Sequence, residues 1–197
     1  QELSLVRTLE RNDRGKADGR VQEWLCFHGY NLDIDRDFGP VTQDAVRQFQ
    51  KDRGLPLSGK VTQAVFRELA SPLLRALRPL EGVDGGLEKL AVACAEQHLA
   101  EHPLEVGGDN LGPWVRVYMK GNEGPDMLWC AGFVCFIFEQ ASKQSGQRNP
   151  IKTTFSCDSL AKNAQMADRF LSERALRKGT AEQDQLTAGS LFLCRKT

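Results

Sequence analysis

The sequence predicts a predominantly α fold class arranged in two parts, and three features carry that expectation. Residues 39–49 are echoed by residues 59–69, a period of 20, and each copy spaces its apolar residues as a helix face does. Residues 71–86 are punctuated by Ser71, Pro72, Pro79, Gly82, Gly85 and Gly86 with no sustained period, as a linker is. Residues 128–138 form the longest apolar run, 11 residues, too short to cross a bilayer and opening on a cysteine.

The first helix is expected to end at Gly29, with Val21, Trp24 and Leu25 turned inward. Residues 33–39 make a turn, and Gly54-Leu55-Pro56 makes another. In each copy of the repeat a threonine, Thr42 or Thr62, can cap a helix start by accepting an otherwise orphaned backbone N–H. Ala45, Val46 and Phe49 then face inward in the first copy, and Val65, Phe66 and Leu69 in the second. Three short helices joined by tight turns result. Val21-Gln22, Leu25, Gly29-Tyr30, Asp37-Phe38-Gly39-Pro40, Thr42, Ala45-Val46, Phe49-Gln50 and Gly54-Leu55 together resemble the bacterial peptidoglycan-binding domain of the three-helix type. That resemblance implies a non-catalytic module that holds cell-wall peptide or glycan, with Asp37 and Phe38 as candidate wall contacts. Taken singly, these positions read as core and turn residues, Phe38 as a core plug.

In the second part, Leu87, Leu90, Ala91, Cys94, His98 and Leu99 mark a helix over residues 87–102, stopped by Pro103. Residues 107–113 form a glycine-rich turn, and Trp114, Val117 and Tyr118 a short helix ending near Gly121. A helix apolar on every side must be buried on every side. Cys130 in its first turn would meet free N–H groups and a partial positive charge, both of which favour the nucleophilic thiolate. Cys135 lies five residues on, roughly 500° round the helix, and reads as inert core. Leu160, Met166, Phe170 and Leu171 predict one or two short helices over residues 157–174, and the charged residues 169–178 read as a solvated face.

Glu105-Val106-Gly107-Gly108-Asp109-Asn110, Gly112-Pro113 and then Trp129-Cys130-Ala131-Gly132-Phe133-Val134 resemble the CHAP-like branch of papain-like cell-wall hydrolases. The resemblance implies that Cys130 attacks a peptidoglycan amide, with no cofactor. It implies a substrate cleft edged by Glu105, Asp109, Asn110 and Trp129, and a catalytic histidine on a strand that follows the cysteine. His28, His98 and His102 all precede Cys130. Residues 189–194 read as the opening strand of that family's sheet, and one strand alone leaves its backbone groups unpartnered. The expectation is a chain cut short before its general base. The full reading is an α+β class, predominantly α: a wall-binding domain over residues 1–76, a linker over 77–86 and an incomplete CHAP-like domain over 87–197.

Acidic and basic residues balance at 26 each, which argues against phosphate neutralisation and so against a nucleic-acid partner. Hydrophobic content of 41% with 26% charged residues is globular composition. Six cysteines without a Cys-x-x-Cys pair leave the disulfide state open. The chain begins at Gln1 with neither methionine nor an apolar leader, the expectation being a removed leader or trimmed end. Cys94, His98 and His102 stand at i, i+4 and i+8, but their span of about 12 Å along a helix is too long for one zinc ion. No metal site is expected. His98 or His102 serving Cys130 is a weaker alternative, as is a purely binding protein with a vestigial hydrolase half. Peptidoglycan is the expected partner and the cell envelope the expected location. A lysin, an autolysin and a toxin with an immunity protein all fit.

Overall fold

The computed structural model describes residues 2–177 and 186–193. It is mostly helical: α1 (Lys16–Phe27), α2 (Pro40–Asp52), α3 (Gln63–Leu69), α4 (Ser71–Ala76), α5 (Gly86–Ala100), α6 (Pro113–Tyr118), α7 (Cys130–Ser145), α8 (Cys157–Met166) and α9 (Glu173–Arg177). Extended pairing among the described residues is confined to two isolated antiparallel bridges, Leu9 with Val61 and Arg14 with Asp37. The chain forms two compact units that do not follow chain order. One takes Gln1–Arg78 with Glu101–Met127, the other Pro79–Ala100 with Leu128–Thr197.

The first unit is organised around α1, whose Val21, Trp24 and Leu25 are fully buried with Phe38, Val46, Phe49, Phe66 and Leu69. Burying each such side chain contributes about 1.5–3 kcal/mol. The α1 helix ends at His28, and Gly29 supplies the left-handed backbone that turns the chain away, at φ +86°. The two copies of the repeat begin their helices differently. Thr62 caps α3 as expected, its hydroxyl accepting from Val65 N. Thr42 does not cap α2, because Pro40, with φ preset for a first helical position, starts that helix with Gly39 as its N-cap, three residues before Thr42. Lys60 stands where Pro40 does, and Val61 is held extended by reciprocal backbone bonds with Leu9, which keeps the second copy from starting early. Residues 71–76, read as part of a linker, form α4, since Pro72 falls in the first turn where its missing N–H costs nothing.

Residues 101–127 join this unit through α6. Trp114 is buried edge-on against Trp24, ring centroids 6.4 Å apart, and lies 6.1 Å from Phe27. Gly112 precedes α6 at φ +109°, and a Cβ there would come within 3.0 Å of Val106 N, so the turn admits glycine alone.

The second unit is built on α5 packed against α7. Leu87, Leu90, Ala91 and Cys94 meet Ile137, Phe138 and Ala141, with Leu80, Val83 and Ile151 at the edges. The expectation that α7 is buried on every side is corrected. Ala131, Gly132 and Cys135 are buried, Phe133, Val134 and Phe136 only half-buried, and Cys130 is exposed. Leu99, expected on the inner face of α5, is also exposed. The expected strand over residues 189–194 does not form within the described residues 189–193; Cys194 lies outside them. Residues 189–191 instead line a surface pocket together with Ala91, Ala95, Val134 and Ile137. α8 falls where a short helix was expected, with Leu160 as its buried residue, whereas α9 forms within the charged stretch read as a solvated face and buries none. Lys178, the end of the charged stretch, lies outside the described residues. No described helix is long and apolar enough to cross a membrane.

Candidate functional site

In the first unit, the turn carrying Asp37 and Phe38 is held from beneath by Gln22. Its side-chain Nε2 donates to Asp35 Oδ1 at 2.7 Å, Asp37 O at 3.1 Å and Thr42 Oγ1 at 3.1 Å, while its Oε1 accepts from Arg36 N at 2.8 Å. The hydrogen bond from Gln22, reinforced by Asp37 N, holds the Asp35 carboxyl below the usual carboxylate range. Asp37 sits at the surface of this turn, its Oδ2 accepting from Arg14 Nη2 at 2.7 Å. Phe38 is fully buried, so its place is in the core under the turn and not on a wall-facing surface. Gln50 repeats the device one repeat later: it donates to Ser58 Oγ and Lys60 O and accepts from Gly59 N. Gly59 takes φ +66° there.

A second polar centre ties residues 101–127 into the same unit. Arg116 donates to both oxygens of Glu2 at 3.0 Å, to Glu23 at 3.1 and 2.5 Å, and to Glu123 Oε2 at 2.8 Å. Glu123 Oε2 also accepts from Gly112 N, locking the turn before α6. Burial alone would pull the guanidinium down, but its hydrogen bonds to Glu2 and Glu23 outweigh that and hold it firmly protonated. Burial pushes the Glu23 carboxyl up against the pull of Arg116, and the neighbouring Glu123 and Glu2 add to the push.

The residues expected to edge a substrate cleft divide between the two units. Glu105 and Asp109 are exposed in the first unit. Asn110 is buried at φ +53°, its amide donating to Pro125 O at 2.9 Å while its carbonyl accepts from Gly124 N, so it staples two turns together. Trp129 and Cys130 open α7 in the second unit, Trp129 edge-on to Phe133 at 6.4 Å. Cys130 is the first residue of a 16-residue helix, with its sulfur 3.3 Å from that of Cys157, the first residue of α8. Cys135 is buried beside Lys152 O and Thr154 N, as the sequence led us to expect.

The histidines are placed as follows. His28 has its Nε2 2.7 Å from Leu69 O, and burial pushes its ring below the usual range. His98, on α5, is fully buried with Nε2 2.9 Å from Gln140 Oε1 and its ring against Phe133 and Phe136. His102 lies beyond the end of α5 at φ +50°, so it does not continue the helical row of Cys94 and His98. Among the described residues no group of three or more potential ligands is placed to hold a metal ion.

Comparison with known proteins assigns the first of these two centres. Residues 14–69 match the family model described as "Putative peptidoglycan binding domain", which spans α1, α2 and α3 and the Gln22-supported turn. This segment therefore has the make-up of a peptidoglycan-binding domain. No curated protein and no solved structure matches the chain. Sequence reasoning named Gln22 and Gln50 only as parts of a pattern and did not assign their clamping role. It missed Arg116, whose partners Glu2 and Glu23 lie 114 and 93 residues away.

Proposed function

We propose that the protein is a wall-targeted hydrolase: the peptidoglycan-binding domain delivers it, and Cys130 on the second unit attacks an amide of the wall. The carrying observation is the placement of an exposed thiol as the first residue of α7. Backbone N–H groups in the first turn of a helix have no intrahelical acceptor and carry partial positive charge. They are suited to the oxyanion that forms when sulfur adds to a carbonyl carbon. Collapse of that adduct would expel the amine and leave a thioester for water to resolve. The Trp129–Val134 segment, which resembles that of CHAP-like hydrolases, supports the same reading. A thioester route also needs a proton acceptor; His98, the histidine in this unit, is buried and paired with Gln140.

That placement of His98 favours a second reading, a wall-binding protein whose second unit performs no hydrolysis. Purified peptidoglycan separates the two, with turbidity and co-sedimentation followed in reducing buffer for the wild type and Cys130→Ala. Under the hydrolase reading the wild type clears the suspension, and the variant still sediments with the wall but does not clear it. Binding without clearing by the wild type selects the second reading. Equal clearing by both proteins removes Cys130 from the chemistry.

A further inference from the structure

Cys130 and Cys157 are separated by 27 positions in the chain, yet their sulfurs lie 3.3 Å apart and both side chains are open to solvent. Each is the first residue of its helix, α7 or α8. A disulfide requires sulfurs about 2.05 Å apart, so the pair needs a movement of roughly 1.3 Å, within reach of side-chain rotation at two helix starts. The other described cysteines differ: Cys94 and Cys135 are buried, and Cys26 is half-buried with its thiol toward Leu32 O. α8 buries Leu160 and begins at this sulfur contact, so a covalent bond there would fix the start of the helix.

We propose that Cys130 and Cys157 form a reversible dithiol–disulfide pair that latches the start of α8 to the start of α7 and, when closed, masks Cys130. Formation of the bond stands apart from the hydrolase reading; only its effect on wall cleavage rests on that reading. Burial, and then the adjacent Cys130 sulfur, push the Cys157 thiol up to about 11; Cys130, on the helix opened by the Trp129–Cys130 segment, is taken as the first thiol to react and Cys157 as the second. With a small-molecule disulfide as oxidant, the Cys130 thiolate attacks one of its sulfurs, forming a mixed disulfide and expelling one thiolate. Cys157, giving up its proton, then attacks the Cys130 sulfur and expels the second thiolate. In total, two protein thiols become one protein disulfide, and one small disulfide becomes two thiols.

The test oxidises the full chain with oxidised glutathione and reads it by intact mass and peptide mapping, without any variant. The expected result is loss of two hydrogens from the protein and a Cys130–Cys157 cross-linked peptide, both reversed by dithiothreitol. In Cys157→Ser the glutathione adduct should persist on Cys130 instead of resolving, and dithiothreitol should remove it. Stable glutathione adducts on both cysteines of the wild type would overturn the proposal, as would cross-links that bypass this pair. If cross-linking occurs but oxidised and reduced proteins clear peptidoglycan equally, the latch stands and Cys130 is not the nucleophile. If neither protein clears, the latch again stands and the hydrolase reading fails.

Discussion

The two units solve the problem of holding short helices together in different ways. The first fastens its turns with polar side chains: Gln22 holds residues 35–37, Gln50 holds residues 58–60, and Arg116 gathers Glu2, Glu23 and Glu123. The second packs α5 against α7 along an apolar seam, with His98 meeting Gln140 within it, Gln144 holding the backbone of Leu80 at its edge, and Leu160 as the buried residue of α8. A buried polar clamp fixes one geometry, because any shift strands its donors and acceptors without water. Both units use such clamps: the first places them at the turns before its helices, and the second, which clamps Leu80, sets two exposed sulfurs at its helix starts.

The sharpest break in this contrast is Trp24→Ala. The ring is fully buried and meets both Phe27 and Trp114, so its removal should cost about 4 kcal/mol in urea unfolding and abolish co-sedimentation with peptidoglycan. Alkylation of Cys130 by iodoacetamide should proceed at the wild-type rate; a changed rate would show that the units are not independent. Gln22→Ala removes the acceptor of Arg36 N and the donor shared by Asp35, Asp37 O and Thr42, and should cost about 2 kcal/mol and weaken wall binding through the 33–37 turn. Wall affinity that survives Gln22→Ala intact would move the binding surface elsewhere on the domain.

The repeat offers a finer comparison. Thr62→Ala removes an N-cap hydrogen bond and should lower stability by about 1 kcal/mol, whereas Thr62→Ser should restore it. The smallest effect concerns Asp18, which burial holds above the usual carboxylate range. Native Asp18 keeps its proton to higher pH than the unfolded chain does, so its contribution to stability is lost as pH rises from near 3.8 through its raised native value. Asp18→Asn should therefore gain on the wild type in thermal denaturation between about pH 3 and pH 7, by less than about 1 kcal/mol. A gap that is constant with pH would mean that Asp18 does not titrate in this window.

What the sequence revealed depended on how local the cause was. Apolar spacing placed α1, α2, α3, α5, α6 and α8 because the residues that make a helix face lie within three or four positions of each other. The early start of α2 is signalled locally by Pro40, which sequence reasoning passed over in favour of Thr42, whereas the later start of α3 also depends on the distant pairing of Val61 with Leu9. Cys130 stood out by its neighbours, whereas Cys157 lies in a stretch without a distinctive pattern and gains its interest only from the 3.3 Å contact. The strand expected at residues 189–194 was a judgement from local composition, and strands need partners that composition does not supply.

The alternation of the two units along the chain also sets a timetable for synthesis. Residues that complete the first unit, Trp114 and Arg116, emerge only after α5, which belongs to the other unit. The α5 helix must in turn wait for α7, from Ala100 to Cys130, about 2 to 6 seconds at roughly 5–20 residues per second. During that interval Leu87, Leu90 and Ala91 have no α7 to cover them on the nascent chain. Slower translation over residues 101–130 lengthens the exposure, and a holding chaperone would act at this stage.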